Sequence, residues 1–397
     1  MGPRLKIGIV LSSLPSYSET FFHLKLNGLI QNGYKIIVFA PGTVSQTLQC
    51  RIIKPYPVFS STVLRFISVA FVLAWIYFRK SGNVNKFWKY EKRVGSSTGE
   101  IIKRLYLNGH ILTQTLDWLY FGFATTAINR EQVARAIGAK MAVSFRGYDI
   151  NVFPLRNPGC YDQVWKGADK VHSISRYLLE KAFALGLPTN KPARIITPAV
   201  KMPPQPKSSF EFLDVLKLVS VARLHWIKGL EYSIQAVAIL KSKGIRLQYT
   251  IIGEGAEQEK LLFEIQSLNL QKEVRMIGKL AHQNTILKMA ESDIYLQPSL
   301  NEGFCNAVLE AQSMGCLCVV SDAGALSENV INGVTGWLVP PRNAQALAEA
   351  ILKIIHIQPE ERTLVSEQAI KRVAEKFAIK DHLAAWRMFY EESVVNL

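Results

Sequence analysis

The chain has 397 residues, which is too long for one ordinary hydrophobic core and enough for two domains. Its composition, 49% hydrophobic and 20% charged, is that of a folded globular protein and excludes a disordered or low-complexity chain. The net charge of +16 lies in the amino half, because residues 1–210 contain 28 Lys and Arg against 9 Asp and Glu, whereas the rest contains 19 against 22. This asymmetry predicts an acidic partner, either nucleic acid or anionic lipid, with plain solubility as the alternative.

The cysteines and the amino terminus indicate the compartment. Five scattered cysteines form no CxxC pair and no metal-ligand cluster, which indicates a reducing environment. The first residues run directly into an apolar segment and lack the features of a signal peptide. We therefore expect a cytoplasmic protein.

The amino half begins with a strand–helix–strand pattern. Leu5–Val10 suits a buried parallel strand, Ser18–Gln31 a helix, and Lys35–Ala40 a second strand. This order predicts a parallel sheet. Further elements are predicted at Glu131–Gly138 (helix), Met141–Phe145 (strand), Lys170–Ser173 (strand) and Arg176–Gly186 (helix).

An apolar segment, Phe66–Phe78, interrupts this pattern. Its 13 residues carry no charge, but spanning a bilayer takes about 20 residues. Basic residues mixed with aromatic ones follow it up to residue 93, and this mixture is typical of an interfacial membrane anchor. We therefore predict that residues 66–93 contact an anionic membrane. A buried core helix followed by a solvated basic helix is the alternative, whereas a nucleic-acid patch would not need the apolar segment.

The carboxy half repeats the alternation of strand and helix after a proline-rich stretch, Pro198–Lys207, which we interpret as an extended linker. The sequence thus predicts an α/β protein with two doubly wound domains, residues 1–205 and 206–376, and a ligand cleft between their strand ends. The predicted strands of this half are Leu216–Ala222, Leu247–Ile252, Val274–Ile277, Ile294–Pro298 and Leu317–Ser321, and the predicted helices are Gly229–Lys243, Gln258–Leu268, Gln283–Ala290, Ala307–Met314, Ala344–Ile355 and Phe377–Glu392.

The segment Asn301–Glu310 carries the strongest functional signal. Glu302 lies in a loop, and Glu310 lies about one turn into a predicted helix. The turn Gly303–Asn306 opens that helix, so free backbone N–H groups and the positive end of the helix dipole suit a phosphate there. Glu310 would then reach a ribose, and Glu302 a sugar attached to the phosphates, which predicts a nucleotide-sugar site. A solvated loop acid is the alternative for Glu302.

Two cations lie at the first strand–helix junction of the carboxy half. Arg223 and Lys228 flank a short loop in which Gly229 opens the helix. Arginine can fork onto a diphosphate and lysine acts as a mobile point charge, so together they would neutralise a leaving diphosphate. Surface cations beside a loop are common, and that is the alternative.

Five motifs follow one another along the carboxy half. In this order and at this spacing they resemble retaining glycosyltransferase family 4, a family with the two-domain GT-B fold, over nearly all of residues 216–345. The motifs are Val-Ala-Arg223 with Lys228-Gly229, Ile-Ile-Gly253-Glu-Gly255, Met-Ile-Gly278, Ser299-Leu-Asn-Glu302-Gly-Phe with Leu-Glu310-Ala, and Asp322-Ala-Gly with Gly333-Val-Thr-Gly336.

The resemblance implies a role for each matching residue. Arg223 and Lys228 bind the donor diphosphate and, with Glu302, form the catalytic set. Transfer retains the anomeric configuration by front-side attack, with the leaving phosphate as base, and the last helix, residues 377–397, crosses back onto the first domain. Donor binding involves Glu310 at the ribose, Glu302 with the backbone of Gly303, Phe304 and Cys305 at the sugar, and the positions Asn306, Gly253 and Gly278.

The amino half matches the family less closely. The loop that contains Ser18, Glu19 and Thr20 resembles one found in bacterial exopolysaccharide and capsule members, where it faces the donor and acceptor. A plain helix cap by Ser18 is the alternative.

Arg146 stands where many members have a histidine that contacts the donor sugar. We expect Arg146 to meet a phosphate or an acidic sugar or acceptor instead, or to pair with a structural carboxylate. Asp149 is expected to bind a hydroxyl. A lone histidine such as His172 is assigned to packing or the surface.

The resemblance, together with the lack of an Asp-x-Asp motif, predicts a hexosyltransferase that needs no metal and no cofactor. The donor is expected to be a UDP- or GDP-sugar and the acceptor a polysaccharide or a polyprenyl-diphosphate-linked glycan at the inner face of the plasma membrane. No nucleic acid is expected. The alternatives are a non-catalytic membrane- or nucleic-acid-binding protein on the same scaffold, and another nucleotide-sugar enzyme such as an epimerase.

Overall fold

The computed structural model describes residues 5–14, 20–42, 50–203, 212 and 214–391. The chain divides into two compact units. The amino unit comprises the described residues up to Ile174, Leu178–Ile196 and those from Leu383 onward, and the carboxy unit comprises Ser175–Tyr177 and Thr197–His382. The junction between Ile196 and Thr197 lies ahead of the boundary predicted at residue 205.

The amino unit is built on a parallel sheet. Its strands within the described residues are β1 (Lys6–Val10), β2 (Lys35–Phe39), β3 (Arg51–Ile53), β4 (Trp118–Phe121), β5 (Lys140–Phe145), β6 (Lys170–Ser173) and β7 (Ala193–Ile195). They pair in the order β3-β2-β1-β4-β5-β6-β7, so the order reverses between β1 and β4. All four residues of β4 are buried, as expected for a central strand covered by helices on both faces.

Nine helices of the described residues precede the second sheet. They are α1 (Thr20–Gln31), α2 (Thr62–Arg93), α3 (Thr98–Leu112), α4 (Ala124–Ala127), α5 (Val133–Ile137), α6 (Gly147–Asn151), α7 (Phe153–Arg156), α8 (Asp162–Gly167) and α9 (Arg176–Ala184). Helix α3 begins with a capping box, in which the Ser97 hydroxyl accepts from the Glu100 amide and the Glu100 carboxylate accepts from the Ser97 amide at 2.8 Å.

Helix α2 differs from the predicted apolar segment. It begins at Thr62 and joins the apolar and basic stretches across a kink at Lys80, where φ is −151° and ψ is 53°. One face packs on α3 through Ile76, but only 11% of its most apolar stretch is buried. A buried core helix is therefore the wrong interpretation. Among the described residues, α2 alone is long and apolar enough to cross a membrane, judged by length and composition.

The carboxy unit contains a second parallel sheet. Its strands are β8 (Leu216–Val221), β9 (Leu247–Ile252), β10 (Val274–Met276), β11 (Ile294–Gln297), β12 (Leu317–Ser321) and β13 (Trp337–Val339). They pair in the order β10-β9-β8-β11-β12-β13, so the order reverses between β8 and β11. This is the 3-2-1-4-5-6 order of a Rossmann fold, and two doubly wound sheets were expected from the sequence.

The helices of the carboxy unit cover this sheet. Ile234 and Val237 on one helix and Leu347 and Ile351 on another are buried together in its core, at the spacing of an amphipathic helix. The helices are α10 (Leu230–Ser242), α11 (Gln258–Ser267), α12 (His282–Ala290), α13 (Asn306–Ser313), α14 (Leu326–Asn329), α15 (Ala344–His356), α16 (Pro359–Lys376) and α17 (Ile379–Glu391), and a 3₁₀ turn covers Trp226–Lys228.

Helix α17 brings the chain back to the amino unit. From Leu383 onward its residues belong to that unit, and Trp386 and Phe389 are buried in its core. The Lys25 amino nitrogen, on α1, lies 3.2 Å from the ring centres of both Tyr120 and Trp386. Edge-to-face ring contacts of Trp386 with Tyr120 and Phe389 hold the last helix in place.

Candidate functional site

The candidate site lies at the carboxyl edge of the second sheet, where the strand order reverses. In doubly wound sheets the loops after the two strands at this point diverge and form a crevice for a ligand. The loop after β8 carries Arg223 and Lys228, and the loop after β11 carries Glu302. The structure therefore brings these sequence-predicted residues to one edge.

An ion pair joins Lys228 and Glu302. Their side chains are only 16% and 9% exposed. The Ser299 hydroxyl also donates to Glu302 Oε1 at 2.8 Å, and the Gln297 amide lies 3.4 Å from the same oxygen. Burial acts to lower the pKa of Lys228, but the charge and the hydrogen bond of Glu302, together with Cys305, raise it above its ordinary value. Lys228 is thus held charged, and the solvated-acid alternative for Glu302 is wrong.

Gly229 allows the two loops to meet. Its φ is +59°, and a Cβ built there would lie 2.3 Å from the carbonyl oxygen of Pro298. The Leu300 amide donates to the Ile227 carbonyl at 2.8 Å, which ties the loops together. Only glycine can adopt this left-handed backbone conformation and also approach Pro298 so closely. Gly229 therefore allows the loop of Lys228 to reach the loop of Glu302.

A third loop, after β12, closes on the backbone of Glu302. The Ala325 amide donates to the Glu302 carbonyl at 2.9 Å. Gly324 has a φ of +65°, and a Cβ there would lie 2.2 Å from that carbonyl oxygen. The Asp322-Ala-Gly motif therefore supports Glu302, a role that the sequence alone did not reveal.

Helix α13 begins at Asn306, one residue before its predicted start. Phe304 and Cys305, which precede it, are buried. The Asn329 side chain accepts from the Cys305 amide at 3.1 Å and donates to the Cys305 carbonyl at 3.0 Å. Burial and the nearby Glu302 charge raise the pKa of the Cys305 thiol to about 12, so the thiol is neutral. These hydrogen bonds fix the Gly303–Asn306 turn at the N-terminus of α13, which is the positive end of the helix dipole.

Glu310 pairs with a histidine that the sequence reasoning missed. His282 Nε2 lies 2.9 Å from Glu310 Oε1, and the side chains are 44% and 16% exposed. The hydrogen bond with Glu310 raises the pKa of His282. His282 is the first residue of α12 and follows the loop of Gly278. The resemblance had assigned Gly278 to donor binding, so this nearness in the sequence was the available signal.

The glycines of the β9 loop have a packing role. A Cβ on Gly253 would lie 1.9 Å from the Ala222 carbonyl oxygen, and one on Gly255 would lie 2.3 Å from that of Leu224. The Gly253 amide donates to the Gly278 carbonyl at 2.9 Å. Gly253 and Gly255 therefore shape the loop that carries Arg223. Arg223 is exposed.

Of the three candidate residues in the loop before α1, the structure describes one. Ser18 and Glu19 lie outside the described residues, and Thr20 is the first residue of α1.

Arg146 and Asp149 meet at the carboxyl end of β5. The two Asp149 oxygens accept from the backbone amides of Arg146 at 2.6 Å and Ala124 at 3.0 Å, and the side chain is buried. Burial raises the pKa of Asp149 to about 6. The Arg146 guanidinium lies 4.9 Å from the Phe22 ring centre. His172 is buried nearby and bonds Ser144 at 2.8 Å, which confirms its assignment to packing.

The part of the chain that carries this site is similar to known proteins. Residues 202–372 match the family described as Glycosyl transferases group 1. The amylovoran biosynthesis glycosyltransferase AmsK of Erwinia amylovora is 30% identical over 59% of this chain, and the match spans 60% of AmsK. The putative colanic acid biosynthesis glycosyltransferase WcaL of Escherichia coli is 25% identical over 94% of this chain and 96% of its own length.

Solved structures show the same fold along the whole chain. Anabaena HepE, crystallised with UDP and glucose, superposes with a TM-score of 0.70 at 16% identity over 97% of this chain and 98% of its own. The lipopolysaccharide outer core galactosyltransferase WaaB gives a TM-score of 0.67 at 15% identity over 97% and 99%. The chain therefore has the GT-B fold, with two Rossmann-like domains, and its residues 202–372 are similar to the glycosyl transferases of group 1.

Proposed function

We propose that the protein is a retaining glycosyltransferase that moves a hexose from a nucleoside-diphosphate sugar to a glycan acceptor in exopolysaccharide biosynthesis. The observation that carries the proposal is the buried Lys228–Glu302 pair at the reversal point of a group 1 domain. The names of AmsK and WcaL support the polysaccharide class, and the UDP held by HepE supports UDP over GDP.

Lys228 and Arg223 are proposed to bind the donor diphosphate. A lysine ammonium has three N–H donors, and the contact with Glu302 uses one. The others can donate to a phosphate oxygen at the positive end of α13. Two cations and a helix end supply the neutralisation that a metal gives elsewhere, so we propose that transfer needs no metal.

Glu302 is proposed to position the donor sugar. The contacts with Lys228, Ser299 and Gln297 all use Oε1 and fix the carboxylate. We assign Oε2 to a sugar hydroxyl. Glu310, oriented by His282, is assigned to the ribose hydroxyls.

The chemical step breaks the bond between the sugar C1 and the diphosphate oxygen. The acceptor oxygen forms a bond to C1 on the same face, and its proton passes to the departing phosphate oxygen. Lys228 and Arg223 stabilise the charge that develops on that oxygen.

Thermal-shift screening with UDP, GDP, ADP and TDP tests the donor site. A ligand at 100 times its dissociation constant stabilises the folded state by about 2.7 kcal/mol. We expect UDP to raise the melting temperature most, with no change on adding EDTA. Loss of the shift in EDTA would contradict the metal-independent site, and no shift with any nucleotide would contradict the donor site.

The stereochemistry has its own test. NMR of the product formed from an α-linked UDP-sugar should show an α-linkage to the acceptor. A β-linked product would show inversion, and an altered sugar released without acceptor would indicate an epimerase.

The variant Glu310→Ala tests the ribose contact. Loss of these hydrogen bonds should weaken donor binding by about 1–3 kcal/mol, measured by calorimetry. Glu291→Ala, in an exposed ion pair with Lys288, is the control and should bind the donor normally. Normal binding by both variants would remove the ribose assignment.

A further inference from the structure

Helix α2 presents an exposed apolar face, which we define as Leu64, Ile67, Phe71, Trp75 and Phe78. Phe71 and Phe78 are 70% and 91% exposed. Several large apolar side chains in one continuous patch are unusual on a protein surface and mark a site of interaction. This face is therefore a docking surface, and its chemistry indicates what it meets.

The opposite face of α2 is held by the amino unit. Ile76 is fully buried and packs close to Gly109 of α3, and the Ser68 hydroxyl lies 2.7 Å from that of Tyr106. Because one side is fixed to protein, α2 cannot be surrounded by lipid over its length. The exposed apolar face can enter only the outer layer of a membrane, as an interfacial helix does.

The part of α2 beyond the kink at Lys80 is basic. Residues 60–99 contain seven Lys and Arg and a single acid, Glu91. Glu91 is buried and pairs with Arg104 at 2.5 Å, so it does not offset the exposed cations. Lys86 and Lys89 are both exposed on the basic part of the helix. An apolar face beside a basic one complements the acyl chains and anionic headgroups of a bilayer.

We propose that the exposed apolar face of α2 docks on the surface of an anionic lipid bilayer, with the basic part of the helix against the headgroups. If a second copy of this chain docked here, its basic residues would face the basic residues of the first copy, and their repulsion would oppose association. A nucleic acid would contact the cations and leave the aromatic side chains in water. This surface is independent of the donor site, so membrane docking and sugar transfer can fail separately.

Vesicle sedimentation of the full-length protein tests the docking. Vesicles of phosphatidylcholine with one quarter phosphatidylglycerol should retain it, and pure phosphatidylcholine should retain much less. The double variant Phe71→Ser and Phe78→Ser should weaken binding by about tenfold or more, because two exposed aromatic side chains no longer enter the bilayer. The matched control is Leu262→Ser with Phe263→Ser, exposed positions on α11, and should bind as the parent does.

A charge variant separates the electrostatic part. Replacing Lys86 and Lys89 with Gln should weaken binding to the anionic vesicles by about fivefold for each charge removed, with little effect on neutral ones. Circular dichroism and UDP binding report whether each variant is folded.

Three results would overturn the proposal. Unchanged vesicle binding by the Phe71→Ser and Phe78→Ser variant would exclude this face. Protein that stays with the vesicles after carbonate extraction would indicate a spanning helix. A dimer in sedimentation velocity that the same variant dissociates, without vesicle binding by the parent, would indicate self-association.

Discussion

The two sheets have matching strand orders but place different polar groups at their carboxyl edges. In the carboxy unit, Glu302 bonds the ammonium of Lys228 from a neighbouring loop. In the amino unit, Asp149 bonds only backbone amides among its described partners, and burial raises its pKa to about 6. One carboxylate pairs with a buried cation and the other accepts from the amides of two loops, so a shared topology places an ion pair in one unit and backbone contacts in the other.

The histidines differ in the same way. His172 is buried in the amino unit, between the Ser144 side chain and the Ile196 carbonyl. His282 is exposed and faces the Glu310 carboxylate. A histidine held on both sides serves packing, whereas one beside a carboxylate at a solvent-facing edge titrates with it.

Replacement of Lys228 should have the largest effect on activity. Lys228→Met is expected to lower kcat for sugar transfer by about 10²–10³-fold, because one preorganised donor to the leaving diphosphate is lost. The control, Lys288→Met, breaks an exposed pair with Glu291 and should keep full activity. Equal activities would mean that the Lys228–Glu302 pair is only structural, like Asp149 in the other unit.

The pH dependence of stability should reveal the raised pKa of Asp149. The folded-state pKa of Asp149, about 6, lies above its ordinary value of 3.8, so the folded state binds the extra proton between these values. Stability should therefore fall by about 3 kcal/mol as the pH rises from about 4 to 6.

Urea unfolding of the parent and of Asp149→Asn over this range measures the effect. The variant carries no titrating group at this position and should show a flatter profile. Parallel profiles would show that Asp149 is not the group responsible.

Gly229 tests whether the meeting of two loops creates the site. Gly229→Ala should destabilise the protein by about 2 kcal/mol or more, because its φ is +59° and the Cβ meets the Pro298 carbonyl. Gly244→Ala, at φ +80° with open space, should cost about 1 kcal/mol and is the matched control. Chemical denaturation compares them. Equal losses in the free energy of unfolding for the two variants would show that the close approach to Pro298 does not contribute to the cost.

The smallest expected effect concerns His282. Glu310 raises its folded-state pKa, so the stabilising pair is fully present below about pH 6.5 and is lost as the pH rises through the raised value. The exposed position limits this to under about 1 kcal/mol. The melting-temperature difference between the parent and His282→Asn should shrink with rising pH. A melting-temperature difference that stays constant with pH would show that the charged His282–Glu310 pair does not contribute to stability.

The sequence predicted three strands with the bounds that the structure gives them. Predicted strands Lys170–Ser173, Leu247–Ile252 and Leu317–Ser321 are β6, β9 and β12. Of these, only β12 is a nearly continuous apolar run, as expected for a strand buried on both faces. Helix α3 and strand β4 were missed. The Ser97–Glu100 capping box was a usable signal for α3, whereas the four residues of β4 are too few to show a period.

The sequence alone determined the fold class and the residue types of the site, since periodicity and motif spacing are local properties of the chain. Only the tertiary structure decided that Lys228 meets Glu302 across 74 residues and that His282 meets Glu310 across 28. It also decided which face of α2 stays exposed, because an apolar helix buries whichever side meets a partner. Contacts between distant residues depend on how loops approach at glycines such as Gly229, and no local pattern encodes that approach.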